Sequence, residues 1–146
     1  MSKSNFLENA ILNLIFSATA IANIADNAAG SPLTSLYWSL HTADPGDAGD
    51  QSTSETAYGA YARQPVLRST GMTTSTVGST SPAANVTFPQ ATTPALPTVS
   101  SITHFAIGVA VSGATNILYS GTVTPNINVS AGVQPILTTA STITED

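Results

Sequence analysis

Four carboxylates, Asp44, Asp47, Asp50 and Glu55, crowd one stretch of this chain beside His41 and a run of Ser and Thr. Hard oxygen donors at that density suit calcium, which gathers several carboxylate and carbonyl oxygens. Their spacing departs from an EF-hand loop, in which ligands alternate and a glutamate closes the ring. Asp44 and Asp47 flank Pro45-Gly46, and short acidic side chains at such a place form turns by accepting from backbone N–H groups close by. Turn formation is therefore the first reading and a metal site the second. Asp44 with Asp50 or Glu55 would supply the two carboxylates of a glycosidase. The loop has few aromatic neighbours to hold a sugar ring.

His41 and His104 are the only histidines, and cysteine is absent. Thiolate catalysis, disulfides and cysteine metal sites are thereby excluded, and the redox compartment is left open. No serine lies in a Gly-x-Ser-x-Gly elbow. No Walker-type glycine loop occurs, and lysine appears once, as Lys3. His104 falls inside an apolar run, where a packed, hydrogen-bonded imidazole is the ordinary outcome. The sequons Asn85-Val86-Thr87 and Asn128-Val129-Ser130 carry no weight without a secretory signal. No catalytic residue and no cofactor are expected.

The charge pattern narrows the partners. Only 8% of residues are charged, with three Lys and Arg against eight Asp and Glu, for a net charge of −5. Ordinary soluble domains carry roughly 25% charged residues. Three cations (Lys3, Arg63 and Arg68) are too few to track a phosphate backbone, so nucleic acid is excluded as a partner. A polar, Thr-rich, weakly charged surface repels its neighbours little and loses little solvation when covered. That composition points to assembly.

The elements that must position these residues follow from periodicity. Asn5–Phe16 (NFLENAILNLIF) has helical spacing, with Leu7, Ile11, Leu14 and Ile15 on one apolar face and an imperfect capping arrangement at Ser4 and Glu8. Glu8, Asn9 and Asn13 interrupt it too often for a signal peptide, and it is too short and polar to span a bilayer. Gly30-Ser31-Pro32 ends this region. Leu36, Trp38 and Leu40 then alternate with Tyr37, Ser39 and His41 as a half-buried strand should. After the acidic loop, Tyr58–Leu67 is aromatic and apolar, with a strand over 63–68 placed at an edge or bulge by Pro65. Strands are expected near 72–77, 85–88, 102–111 and 117–123. Turns are expected at 79–82 and 125–128, an extended connection at 91–97, and a closing pair at 132–137 and 140–144. The 102–111 run is apolar on both faces and should be central. Seven to nine short strands about ten residues apart give an all-β, single-domain antiparallel sandwich or barrel with an N-terminal amphipathic helix. Residues 1–30 form the helix and linker, and 31–146 the β-domain. Trp38 and Tyr119 belong to strand-like runs and are expected in the core. Tyr58 and Tyr61 follow the loop and could serve either the core edge or an interface.

Several motifs together resemble a family of tailed-bacteriophage virion proteins, often labelled phage tail fibre protein. They are Asn5-Phe6-Leu7-Glu8-Asn9, the run Leu36 to Asp47, Ala57-Tyr58, Tyr61-Ala62-Arg63, Val86-Thr87-Phe88-Pro89, Thr103 to Gly108, Leu118-Tyr119-Ser120-Gly121 and Leu137 to Asp146. The chain departs from the pattern at Ala91 to Pro97 and Ser17 to Ala29. The resemblance implies a non-enzymatic virion structural protein, made in the bacterial host cytoplasm and functioning outside any membrane. Its foremost role would be as a capsid decoration (cement) protein, binding the major capsid protein on the outside of the head as a closed homo-oligomer, a trimer. A tail fibre or neck adaptor is the alternative, and a calcium- or glycan-binding β-module a third. Interface candidates are Phe6, Leu7, Ile11, Leu14 and Ile15 on the helix, Asp44, Asp47 and Asp50 on the loop, and Tyr58 and Tyr61 beyond it.

Overall fold

The computed structural model describes residues 4–21, 32–93 and 100–145. Among them lie one helix, α1 (Asn5–Phe16), and eight strands. The strands are β1 (Ser35–His41), β2 (Gln64–Leu67), β3 (Ser79–Thr80), β4 (Val86–Thr87), β5 (Ser100–Gly108), β6 (Ile117–Val129), β7 (Ile136–Leu137) and β8 (Ile143–Thr144). The largest sheet has the order β2-β1-β5-β6, and two ribbons pair β3 with β8 and β4 with β7. The fold is all-β with a single short N-terminal helix, as the periodicity implies. The chain groups into two compact units, one drawn from Met1–Leu36, Val66–Asn85 and Leu137–Asp146, the other from Tyr37–Pro65 and Val86–Ile136.

In the second unit β5 is central, between β1 and β6. β1 and β5 run antiparallel, with Trp38 opposite Ile107 and Leu40 opposite Phe105. Trp38, Leu40, Ile102 and Ile107 are fully buried. The Trp38 and Phe105 rings stack at 5.3 Å and 10°, a diagonal cross-strand contact. Gly121 of β6 lets the Phe105 ring lie against the backbone, since a Cβ there would come within 2.8 Å of it. β5 ends at Gly108 rather than continuing to Val111. Gln51 lies over Gly108, and its Oε1 accepts the Ala110 N–H at 3.2 Å, which takes that residue away from a β-ladder. Tyr119, expected in the core, is half-buried.

Other expectations need correction. The segment 125–128 is not a turn, because β6 continues through it to Val129. Pro125 falls where the β5–β6 register jumps, between the pairs Ile102↔Ile127 and His104↔Thr122, so its missing N–H costs no ladder bond. Residues 79–80 form a strand, β3, paired with β8. Hence 132–137 and 140–144 do not pair with each other. Burial decides this, since Ile143 buries its side chain beside β3 and the chain at 133–135 receives N–H groups from Ala91 and Phe88. No strand forms at 72–77. Instead Thr73 and Ser81 exchange hydrogen bonds across an irregular hairpin. The expected connection at 91–97 extends beyond the described residues.

In the first unit Ser4 caps α1 by accepting the Leu7 N–H at 3.4 Å. Its buried face is Leu12 and Phe16, joined by Asn9 and Asn13 on the same side. The asparagines fasten the helix to the hairpin: Asn9 Oδ1 accepts from Gly78 N (2.6 Å) and Ser75 Oγ (3.0 Å), and Asn13 Oδ1 from Ser75 N (2.9 Å). Arg68 donates to the carbonyls of Ile15 and Leu14, both at 2.6 Å, and so satisfies the C-terminal end of the helix.

Candidate functional site

The acidic loop leaves β1 at His41 and is held at its base by that residue. His41 is buried, and its Nδ1–H donates to the Thr53 carbonyl at 2.8 Å. A carbonyl only accepts, so Nδ1 carries the proton and Nε2 accepts from the Ser39 hydroxyl at 2.9 Å. The Ser39-His41 pair has the donor order of a nucleophile and its base. Both residues are fully buried, however, so the pair is a structural clasp closed to substrate. Burial holds the His41 pKa below its ordinary value, outweighing the hydrogen bond to Thr53.

That shift has a consequence for stability. The unfolded chain binds a proton near pH 6.5, whereas folded His41 resists it until lower pH. Stability is thus full above about 6.5 and falls as pH drops toward the folded value, with a slope of at most about 1.4 kcal/mol per pH unit. Urea midpoints of the parent should decline between about pH 7.5 and 5.5, and those of His41→Gln should stay flatter. Parallel curves for the two proteins would remove His41 from the pH response.

The four carboxylates do not converge. Asp44 Oδ1 accepts the Gly46 N–H at 2.9 Å, the turn expected from the sequence. Asp47 is exposed. Asp50 Oδ1 accepts from Ser52 N (2.8 Å), Ser52 Oγ (2.6 Å) and Thr53 N (3.1 Å), and these bonds, led by the Ser52 hydroxyl, hold its pKa below the usual carboxylate range. Glu55 turns the other way, into a bidentate pair with Arg63: Oε1 to Nε and Oε2 to NH2, each 2.7 Å. Among the described residues no group of three or more His, Cys, Asp or Glu is placed to hold a metal. Sequence spacing put these residues in one loop, but side-chain direction separates them.

Arg63 is the residue that sequence reasoning undervalued, having counted it only as a scarce cation. It is buried, and besides Glu55 it donates to the carbonyls of Ala110 (3.1 Å) and Gly113 (2.9 Å). Tyr61 donates to Glu55 Oε1 at 2.8 Å and accepts the Leu40 N–H at 3.1 Å. Gln51 completes the clamp, donating to the Tyr37 carbonyl and accepting from Thr115 Oγ1 at 2.7 Å. Tyr58, for which the sequence left core edge and interface open, is buried and donates to the Pro89 carbonyl at 3.0 Å. Burial raises its pKa to about 12 and pushes Tyr61 up as well. Both tyrosines belong to the frame that supports the loop, with Tyr61 half-buried and stacked on Phe88.

On α1 the proposed apolar stripe lies opposite the buried face. Phe6 is 70% exposed and Leu7 37%, while Ile11, Leu14 and Ile15 are half-buried. Between the helix and residues 19–21 runs a groove of about 410 Å³, lined by Phe6, Ala10, Asn13 and Ile21 among others. Among the described residues no helix is long and apolar enough to cross a membrane.

In the second unit a β-framework locks a polar loop in place, and in the first α1 keeps Phe6 and Leu7 exposed. The profile of one family, described as podophage GP4 fiber I protein gp80, matches residues 2–144. The chain belongs to that family. No curated protein matches it. Membership of the podophage fiber I family makes it a bacteriophage virion structural protein; the motifs from Asn5 to Gly121 fall inside the matched span, and the last, from Leu137, runs two residues past its end.

Proposed function

We propose that the chain is a non-enzymatic subunit of the virion exterior, working as part of a fibre or its adaptor and fixed to a neighbouring virion protein through α1. The observation that carries this reading is the family match over residues 2–144 together with Phe6 and Leu7 left exposed on a helix whose other face is already buried. An apolar side chain 70% exposed at the first turn loses little on folding and gains on docking. The exposed carboxylates of Asp44 and Asp47 add a second, polar contact suited to basic partner residues.

Capsid decoration is the second reading. It is supported by the short-stranded β-architecture with its weakly charged exterior, and by the lack of any fixed-period repeat from which a fibre shaft could be built. The partner would then be the major capsid protein. Copies per particle separate the two: a few to a few tens support the fibre, and hundreds the head lattice.

The attachment test uses Phe6→Ser with Leu7→Ser rather than removal of the helix, because Asn9 and Asn13 pin α1 to residues 75–78. The double variant should fold with an unchanged urea midpoint and fail to enter particles in a complementation assay. Normal incorporation would take α1 out of the attachment.

A further inference from the structure

We propose that His41 is an acid-operated latch: when its ring takes up a second proton it releases the Thr53 carbonyl, and the neck of the acidic loop opens while β1 stays paired with β5. The loop leaves the sheet at Thr42 and returns at Ser54, whose carbonyl accepts the Thr42 N–H at 2.8 Å and the Thr42 hydroxyl at 3.2 Å. Beside this neck the His41 Nδ1–H grips the Thr53 carbonyl at 2.8 Å, and an isolated antiparallel bridge joins His41 to Glu55. The positions on either side of the grip are fixed. Gln51 is buried and bonded to the Tyr37 carbonyl, the Ala110 N–H and the Thr115 hydroxyl. Glu55 is held by Arg63. Between these anchors Ser52 and Ser54 are exposed and Thr53 is half-buried. A short, largely exposed strap between two anchors can lift without disturbing the sheet.

The backbone of the strap is loaded towards opening. Ser54 sits at φ +56°, in the left-handed region that favours glycine. A residue with a side chain keeps such a conformation only while its surroundings hold it there. Here the holders are the bonds on either side, from His41 to Thr53 and from Thr42 to Ser54. Losing the first leaves the strain at Ser54 acting on the second.

The proton acts on the first bond. Neutral His41 donates through Nδ1 and accepts the Ser39 hydroxyl at Nε2, 2.9 Å away. Protonation turns Nε2 from acceptor to donor, so Ser39 must swing its own proton towards the Ala106 carbonyl, at the longer distance of 3.3 Å. The ring would then hold a full charge in a buried site. The charged and titratable groups around it are Glu55, Arg63 and, across the ladder from β5, His104. Arg63 and a charged His104 repel the new cation. Glu55, which attracts it, is already committed to Arg63 and Tyr61. Burial therefore favours the neutral ring in the closed state, and protons favour the open one. An imidazolium is better solvated outside, and it can leave only by dropping Thr53. Opening also unfixes Asp50, whose carboxylate is bonded to Ser52 and Thr53. The latch thus governs how the acidic loop is presented, set at neutral pH and released in acid. Its bearing on attachment rests on the virion reading, whereas the opening itself does not.

The experiment follows amide exchange of the full chain by NMR between about pH 7.5 and 5, corrected for the pH dependence of the intrinsic rate. The Thr42, Thr53 and Glu55 amides should lose about tenfold or more of their protection, while those from Phe105 to Ile107 in β5 keep theirs. His41→Gln should show no such loss. Protection lost equally in loop and β5, a loop still protected at the lowest pH, or the same loss in His41→Gln overturns the latch. Should the variant fail to fold, long-range 1H–15N spectra of the parent follow the ring directly, since 41 and 104 are its only histidines. His41 should be neutral with its proton on Nδ1 at pH 7.5 and become charged as the loop amides open. A charged ring under a protected loop, or an opened loop over a neutral ring, also overturns the latch. Each of these results leaves the copy number per virion, and hence the proposed function, to be decided separately.

Discussion

Arg63→Ala should destabilise the protein by about 3–5 kcal/mol, the usual cost of stripping one partner from a buried ion pair. The guanidinium is 3% exposed and its Glu55 partner 16%, so water replaces little of what is lost. The substitution leaves the Glu55 carboxylate with no cation, only the Tyr61 hydroxyl still donating to it, and takes the Arg63 donors from the carbonyls of Ala110 and Gly113. Arg63→Lys should recover only a minor part, since a single ammonium cannot reproduce the planar fork that meets two carboxylate oxygens and two carbonyls. Glu55→Gln should be milder than Arg63→Ala, because the amide oxygen can still accept from Arg63 and no carboxylate is stranded. The two singles and their double should show strong coupling in a mutant cycle. Urea denaturation at constant m-value is the measurement. A loss below about 1 kcal/mol for Arg63→Ala would put the pair with exposed salt bridges, which contribute little.

The Glu55–Arg63 pair also marks where sequence reading stops. Period-2 alternation placed β1, and the two-sided apolar run placed β5 at the centre, because burial on both faces writes itself into residue type. Helical spacing placed α1 correctly but did not show which side packs inward. Leu7, Ile11, Leu14 and Ile15 are the more apolar stripe, yet Asn9 and Asn13 turn inward because the hairpin at 75–78 supplies the N–H and hydroxyl groups their oxygens need. Polarity alone does not reveal such a docking, since the partners lie more than sixty residues away. The two-residue strands were illegible for a similar reason. Ser79–Thr80 has turn composition, and only its pairing with Ile143–Thr144 makes it β. In the acidic loop the density of carboxylates was legible, but their directions were set by local donors: Ser52 and Thr53 for Asp50, Arg63 and Tyr61 for Glu55.

Trp38→Ala should cost about 3–5 kcal/mol, as large-to-small truncations of fully buried aromatics do. Trp38 is fully buried, stacks on Phe105 and sits in the strand from which the loop departs. Removing it opens a cavity beside the central strand and releases the Phe105 ring that packs over Gly121 of β6. Trp38→Phe is the informative companion. The indole Nε1 is the only buried side-chain nitrogen or oxygen without a hydrogen-bond partner among the described residues. Phenylalanine keeps a ring against Phe105 while removing a donor that makes no bond in the fold and is solvated when unfolded. The lost ring volume and the relieved N–H then act in opposite directions. The net change should be less than about 1.5 kcal/mol, and well under half the alanine value. Thermal and urea unfolding of the three proteins would read this directly. Near-equal losses for Phe and Ala would mean that Nε1 makes a stabilising bond after all, and that the stack with Phe105 is secondary. If Trp38→Phe holds stability while Arg63→Ala collapses it, the loop depends more on its polar clamp than on the packing beneath it. Mutations that loosen the loop would then concentrate around Glu55, Tyr61 and Arg63 rather than in the apolar interior.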